Sequence, residues 1–121
     1  MVAEGGFHNL AQHIWHAHQV AAVRQLVEWQ VLMFYRLDTG VDPAQVSPVT
    51  DISRISPRPV LLIYGEQEAE RGGAELLLDA AREPKEVWIV PGAGHGGYIG
   101  AAPQEYERRV IAFLEGAGRK P

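Results

Sequence analysis

Two short apolar runs, each closed by a glycine, constrain this sequence more than any other feature. Val60–Tyr64 is uninterrupted and is followed by Gly65, and Glu86–Val90 is followed by the pair Pro91-Gly92. Such runs are typical of strands that are buried on both faces, as in a parallel sheet. The apolar spacing between them predicts a helix over residues 74–82. Residues 59–91 are therefore predicted to form a βαβ unit with a right-handed crossover.

The first 40 residues have a different pattern, which favours helices. Residues 1–6 are predicted to be the end of a strand that runs into a loop. Residues 7–37 contain neither glycine nor proline, and their apolar residues recur at helical spacing. They predict two helices, or one long kinked helix, ending near Gly40. Residues 31–35 (VLMFY) are apolar on nearly every side, so we expect them to be buried on more than one face.

The rest of the chain is predicted to complete a single domain. Four of the eight prolines fall in residues 41–59, which predicts an extended connector. Residues 103–116 are predicted to form a final helix, with Pro103 in its first turn. A length of 121 residues favours one domain.

Composition excludes several classes of function. The net charge of −4 argues against a nucleic-acid partner. No apolar run approaches the roughly 18 residues that span a membrane, so no membrane association is expected. The absence of cysteine removes disulfides and thiolate catalysis. No basic start followed by an apolar stretch is present, and a cytoplasmic location is predicted.

The strongest chemical signal is a pair of loops that follow the two predicted strands. The first loop carries Glu68, and the second, residues 92–97 (GAGHGG), carries His95. If the strands are neighbours, their carboxyl ends meet at one edge of the sheet and the two side chains can approach each other. A carboxylate on one imidazole nitrogen supports general-base chemistry at the other. Spacing alone equally allows a glycine loop with an exposed histidine and a solvated glutamate.

Three segments carry a family resemblance. RPVLLIYGEQE, EPKEVWIVPGAGHGGY and APQEYERRVIAFL together are similar to the C-terminal portion of the α/β-hydrolase superfamily. They look closest to bacterial hydrolases of the esterase or dienelactone-hydrolase-like type. The resemblance is good from Ser47 to about Ala117 and looser before that. It implies a partial α/β-hydrolase fold: residues 1–46 as a strand stub with a helical, lid-like segment, and residues 47–121 as a βαβα part of the core with a small parallel sheet of two to three strands.

The resemblance also assigns roles within the two loops. Glu68 stands at the place of the triad acid, where the family more often has Asp, and His95 matches the triad histidine. These two are the predicted catalytic residues, and the implied activity is hydrolysis of a small, ester-like substrate. The family's nucleophile lies on a G-x-S-x-G elbow, which this sequence lacks. The sequence therefore predicts an incomplete hydrolase, active only if another segment supplies the nucleophile.

The alternative is a non-catalytic, truncated module. A small sheet taken from a larger one leaves an unpaired edge beside the first strand and an uncovered face. We therefore expect a homo-oligomer that associates through this edge, with residues 31–35 as candidates to cover the gap.

Two further patterns suggest a cofactor or a metal, and neither is predicted to bind one. Gly92-x-Gly94-x-x-Gly97 formally matches a dinucleotide fingerprint, but the next helix starts too late for it. Two histidines three apart on a helix could share a metal, although a site normally needs a third ligand. The more ordinary interpretation is a polar helix face. The histidines in question are His8, His13, His16 and His18.

Overall fold

A three-stranded parallel sheet forms the centre of the protein in a computed structural model that describes residues 1–15 and 21–118. Strand β1 is Val2–Glu4, β2 is Val60–Gly65 and β3 is Lys85–Val90, and they lie in the order β1-β2-β3. Val2 pairs with Leu61 across β1 and β2, and Val60 pairs with Lys85 across β2 and β3. The mixed α/β class and the small parallel sheet agree with the sequence prediction.

Helices occupy most of the remaining described chain. The predicted βαβ unit is present, because a helix connects β2 to the parallel strand β3. Short 3-10 turns lie at Pro43–Gln45 and Ile52–Ile55, within the predicted connector. Three four-residue helices occur where loops or an extended connector were expected. The helices are α1 (Leu10–Trp15), α2 (Ala21–Thr39), α3 (Pro48–Asp51), α4 (Ala69–Gly72), α5 (Ala74–Ala80), α6 (Tyr98–Ala101) and α7 (Pro103–Gly118).

Helices cover both faces of the central strand β2, whereas the face of β3 that carries Val87 and Ile89 is partly open, with Ile89 37% exposed. Alternate residues of β2 point to opposite faces. On one face Leu62 packs with Leu77 of α5. On the other face Ile63 packs with Trp88 of β3, and the partly buried side of α7 packs against this cluster. Every residue of β2 is buried as a result. The apolar run that the sequence showed is explained by a helical layer on each side.

Helix α2 does not fit its prediction. Residues 31–35 were expected to be buried on more than one face, yet Val31 and Phe34 are exposed and Leu37 is 72% exposed. Within the described residues, the main packing partners of α2 are α1 and the turn at Pro43–Gln45. Because these short elements cover only part of the helix surface, α2 can bury only a narrow stripe of side chains.

Among the described residues, no helix combines the length and the apolar character needed to cross a membrane.

Candidate active site

The loops that follow β2 and β3 are in direct backbone contact. The Gln67 amide donates to the Ala93 carbonyl at 3.2 Å, and the Glu66 amide donates to the Val90 carbonyl at 3.0 Å. A Cβ placed on Gly65 would collide with the Ala93 carbonyl oxygen and lie 2.9 Å from that of Gly94. Only glycine therefore permits the two loops to come this close. This contact sets the distance between the side chains that the loops carry.

Glu68 and His95, the two predicted catalytic residues, meet at this edge of the sheet. Glu68 Oε2 lies 2.7 Å from His95 Nδ1. The glutamate side chain is 15% exposed, whereas the histidine side chain is 76% exposed. The carboxylate thus engages Nδ1 from the protein side and leaves Nε2 as the nitrogen available to a reacting group.

Three donors hold Glu68 in its charged form. Besides His95, the Gly65 amide donates to Oε1 at 3.1 Å, and the Tyr98 hydroxyl donates to the same oxygen. Burial by itself raises the pKa of Glu68, but the hydrogen bonds from Tyr98, Gly65 and His95 outweigh it and leave the pKa below its ordinary value. At neutral pH the residue is therefore a carboxylate that accepts a hydrogen bond from the imidazole.

Tyr98 is a site residue that the sequence prediction missed. The prediction assigned it no role, but it begins α6 and is 3% exposed. Burial raises the pKa of Tyr98, and the hydrogen bond to Glu68 raises it further, so the hydroxyl stays protonated and donates. The available signal was an aromatic residue three positions after His95, in a loop otherwise made of small residues.

Gly5, in the loop after β1, is a second residue that sequence reasoning missed. Its φ of +53° lies in the left-handed region that favours glycine. A Cβ at this position would lie 2.8 Å from both Cε1 and Nδ1 of His95 and would collide with the Tyr98 hydroxyl. The imidazole of His95 can therefore lie this close to the Gly5 backbone only because Gly5 has no side chain.

A cavity of about 200 Å³ opens beside the Glu68–His95 pair. The described residues that line it include no serine. Ser47 instead bonds to the Thr50 hydroxyl at 2.9 Å, and Ser53 and Ser56 precede β2, at the opposite end of that strand from the pair. None of the three serines is thus placed at His95. The lining residues are Gly5, Gly6, His13, Glu68, Arg71, Gly72 and His95.

A larger open groove of about 710 Å³ lies elsewhere, between α5 and β3. Its lining includes Glu66, Val87 and Ile89 but neither Glu68 nor His95. The smaller cavity is the better candidate for chemistry, because a paired carboxylate and imidazole converge there.

The histidine cluster of the N-terminal segment is only partly described. His8 Nε2 lies 2.6 Å from Gln12 Oε1, and His13 lines the cavity beside His95. His16 and His18 lie outside the described residues. In the part of the chain that is described, no group of three or more histidine or acidic side chains is arranged to hold a metal ion.

Comparisons with known proteins give a fold but no activity. No family model matches the sequence. The uncharacterized protein PA2218 of Pseudomonas aeruginosa is 55% identical over 47 residues, which are 39% of this chain and 13% of that protein. The crystal structure of hypothetical protein PA2218 from the same organism superposes with a TM-score of 0.55 at 20% identity, over 94% of this chain and 52% of that chain. The chain thus spans about half of a solved structure whose fold it shares.

Proposed function

We propose that this chain carries the acid and the general base of a serine-hydrolase triad, on a partial α/β-hydrolase fold, and that it hydrolyses small esters once a nucleophile is supplied from outside these 121 residues. The observation that carries the proposal is the 2.7 Å contact between Glu68 Oε2 and His95 Nδ1 at the carboxyl end of a parallel sheet. Open α/β sheets hold their ligands at this end.

In the proposed mechanism His95 transfers the proton and Glu68 orients the ring. His95 Nε2 takes the proton of a serine hydroxyl as the oxygen attacks the ester carbonyl. The resulting imidazolium keeps Nδ1–H on Glu68, whose carboxylate stabilises the positive charge. Nε2 then gives the proton to the departing alcohol, and the same sequence with water releases the acid. The lowered pKa of Glu68 suits this role, because the residue stays charged throughout.

The free edge of β1 is where the missing nucleophile would join. A strand added to that edge in parallel orientation would end at the same side of the sheet as β2 and β3. Gly5, which immediately follows β1, lies so close to the His95 ring that an added Cβ would be 2.8 Å from it. A residue at the end of such an added strand would therefore lie one strand spacing, about 4.8 Å, beyond the Gly5 loop.

The test compares the chain alone with the chain joined to the polypeptide encoded directly upstream of Met1. We expect the longer protein, and not the chain alone, to hydrolyse p-nitrophenyl acetate and to be labelled by a fluorophosphonate. His95→Ala in the longer protein should lower kcat by at least about 10³-fold, as loss of a triad histidine does. Equal rates for the longer protein and its His95→Ala variant would refute the proposal.

The second candidate is a non-catalytic module that associates with itself through the edge of β1. Met1 O and Gly5 N both bond to β2, so the alternate residue Val2 directs its amide to the outer edge. Exposed apolar side chains of α2, Trp29 and Phe34 among them, offer a second surface for association.

Sedimentation equilibrium tests this second candidate. We expect a concentration-dependent dimer, and Val2→Pro should shift it toward monomer because proline removes the outward amide. A chain that stays monomeric at all concentrations would exclude this candidate.

A further inference from the structure

Arg71 of α4 brings an unengaged positive charge to the cavity beside His95. Its side chain lines the same cavity as Glu68 and His95, three residues after the glutamate. Within the described residues its guanidinium makes no ion pair and no hydrogen bond. Three other arginines are paired: Arg54 with Asp51 at 2.9 Å, and Arg108 and Arg109 with Glu105 at 2.6 Å. Arg71 differs from these because it faces a concave site and not a neighbouring carboxylate.

The neighbouring acids do not neutralise Arg71. Both oxygens of Glu68 are already engaged by Gly65, Tyr98 and His95. Glu70 lines an adjoining cavity together with Arg71, but the two form no salt bridge at 4.0 Å or less in the described structure. The guanidinium therefore keeps its donors available for a ligand.

His13 adds a second polar group to the same cavity. Its Nδ1 is inaccessible to solvent and has no hydrogen-bond partner among the described residues. A buried polar atom without a hydrogen-bond partner destabilises the folded protein. An oxygen-bearing ligand in the cavity would allow the imidazole to rotate and recover that bond.

From these features we infer that the cavity binds a carboxylate group of the substrate, held by Arg71 with help from His13. The inference deepens the proposed function, because the ester of the same molecule would then lie at His95. A guanidinium matches a planar carboxylate with two parallel hydrogen bonds. A singly charged group is favoured over a phosphate dianion because Glu68 and Glu70 lie close by. The volume of about 200 Å³ limits the ligand to a short chain.

The test is a binding titration of the 121-residue chain that does not depend on catalysis. Monomethyl succinate, a short ester with a free carboxylate, should cause saturable shifts of the His95 and His13 imidazole resonances in NMR spectra. Dimethyl succinate, which lacks the charge, should bind at least about tenfold more weakly, equivalent to 1.4 kcal/mol.

Two arginine variants provide the matched control. Arg71→Gln should weaken binding of the monoester at least about tenfold, whereas Arg82→Gln, at an exposed arginine near the other end of the sheet, should leave it unchanged. Arg71→Lys keeps the charge but loses the planar guanidinium that donates two parallel hydrogen bonds, so it should weaken binding of the monoester less than Arg71→Gln does. If Arg71→Gln does not fold, the contrast between monoester and diester on the unmodified chain still decides.

Three results would overturn the inference: equal binding of the monoester and the diester, no effect of Arg71→Gln, or tighter binding of methyl phosphate than of the monoester. The failure of this inference can be distinguished from failure of the proposed function, because the titration measures binding by the 121-residue chain and the ester-cleavage test measures activity of the longer protein. If the unmodified chain prefers the monoester while the longer protein cleaves no ester, the carboxylate site stands and the hydrolase proposal is wrong. If the longer protein cleaves esters through His95 while the chain shows no preference for the monoester, Arg71 has no role in the active site.

Discussion

Strand β2 and helix α2 are both rich in apolar residues, yet β2 is buried and much of α2 is exposed. All six residues of β2 are buried, because α5 lies over one face of the sheet and α7 over the other. Helix α2 is 19 residues long but exposes Trp29, Phe34 and Leu37. Apolar character therefore leads to burial only where the rest of the chain supplies a layer. The candidate site stands on the well-packed part, while the apolar surface of α2 remains open to a partner.

The largest expected contrast comes from one substitution made in both regions. Leu62→Ala removes a side chain that is 2% exposed in the central strand, and should lower the free energy of unfolding by about 3–5 kcal/mol. Leu37→Ala, at a residue that is 72% exposed, should change it by less than about 0.5 kcal/mol. Urea unfolding followed by circular dichroism measures both. A large cost for Leu37→Ala would show that α2 is covered in solution.

Two glycines, one in each region, allow the same comparison to be made for the backbone. Gly5 at the site and Gly40 after α2 have φ values of +53° and +70°. Gly5→Ala adds both strain and the collision with His95 and Tyr98, so it should cost about 2–4 kcal/mol and displace the His95 resonances.

The control for that prediction is Gly40→Ala, where nothing lies within 4 Å of the new Cβ. It should cost only the strain of the left-handed conformation, about 1 kcal/mol. Equal costs in thermal unfolding would contradict the close approach of Gly5 to the site.

Removal of the Tyr98 hydroxyl should have a smaller and pH-dependent effect. Tyr98→Phe deletes a hydrogen bond to a charged, mostly buried carboxylate, and should cost about 1.5–3 kcal/mol at pH 7. The pKa of Glu68 is lower in the folded protein than in the unfolded chain. The charged carboxylate therefore stabilises the fold at pH values above its unfolded pKa, and this stabilisation is lost as pH falls through its folded pKa. The difference between the two proteins should therefore shrink below about pH 4.

Tyr106→Phe is the matched control for this pH dependence. Tyr106 also donates its hydroxyl to a glutamate, Glu4, but that hydrogen bond is exposed. Its loss should cost less than about 1 kcal/mol. Unfolding curves recorded from pH 3 to pH 8 compare the two variants, and a pH-independent cost for Tyr98→Phe would argue against its bond to Glu68.

A small effect on stability is also expected at the residue with the largest proposed role in function. The side chain of His95 is 76% exposed and its hydrogen bond to Glu68 is open to solvent, so His95→Ala should lower the free energy of unfolding by less than about 1 kcal/mol. The same variant should abolish ester cleavage in the completed enzyme. A large loss of stability would indicate a structural role for the Glu68–His95 pair in place of a catalytic one.

The sequence predicted what depends on local pattern. The apolar runs of β2 and β3 are continuous, and the glycines after them show where each strand ends. Sheet geometry therefore allowed Glu68 and His95 to meet, and the family resemblance favoured that arrangement over a solvated glutamate and an exposed histidine. Helices α4 and α6 were missed because four residues are too few to display a helical period.

What the sequence could not show depends on contacts between distant segments. Gly5 reaches His95 only because β1 pairs with β2. The first strand was predicted at the edge of the sheet, but the close approach of Gly5 to His95 was not. Tyr98 reaches Glu68 because α6 turns its first residue back toward the sheet. The exposure of α2 was also unpredictable, since it depends on which surfaces the rest of the molecule leaves for that helix to cover.

The backbone contact between Gly65 and the Ala93 carbonyl has a consequence for how this region can change over time. Because one loop leaves no room for a single methyl group on the other, an insertion or a larger residue in either loop is tolerated only with a compensating change in its neighbour. The two loops should therefore be inherited and exchanged as a unit. Anyone who grafts this acid–histidine pair onto another parallel sheet must transfer both strand ends together.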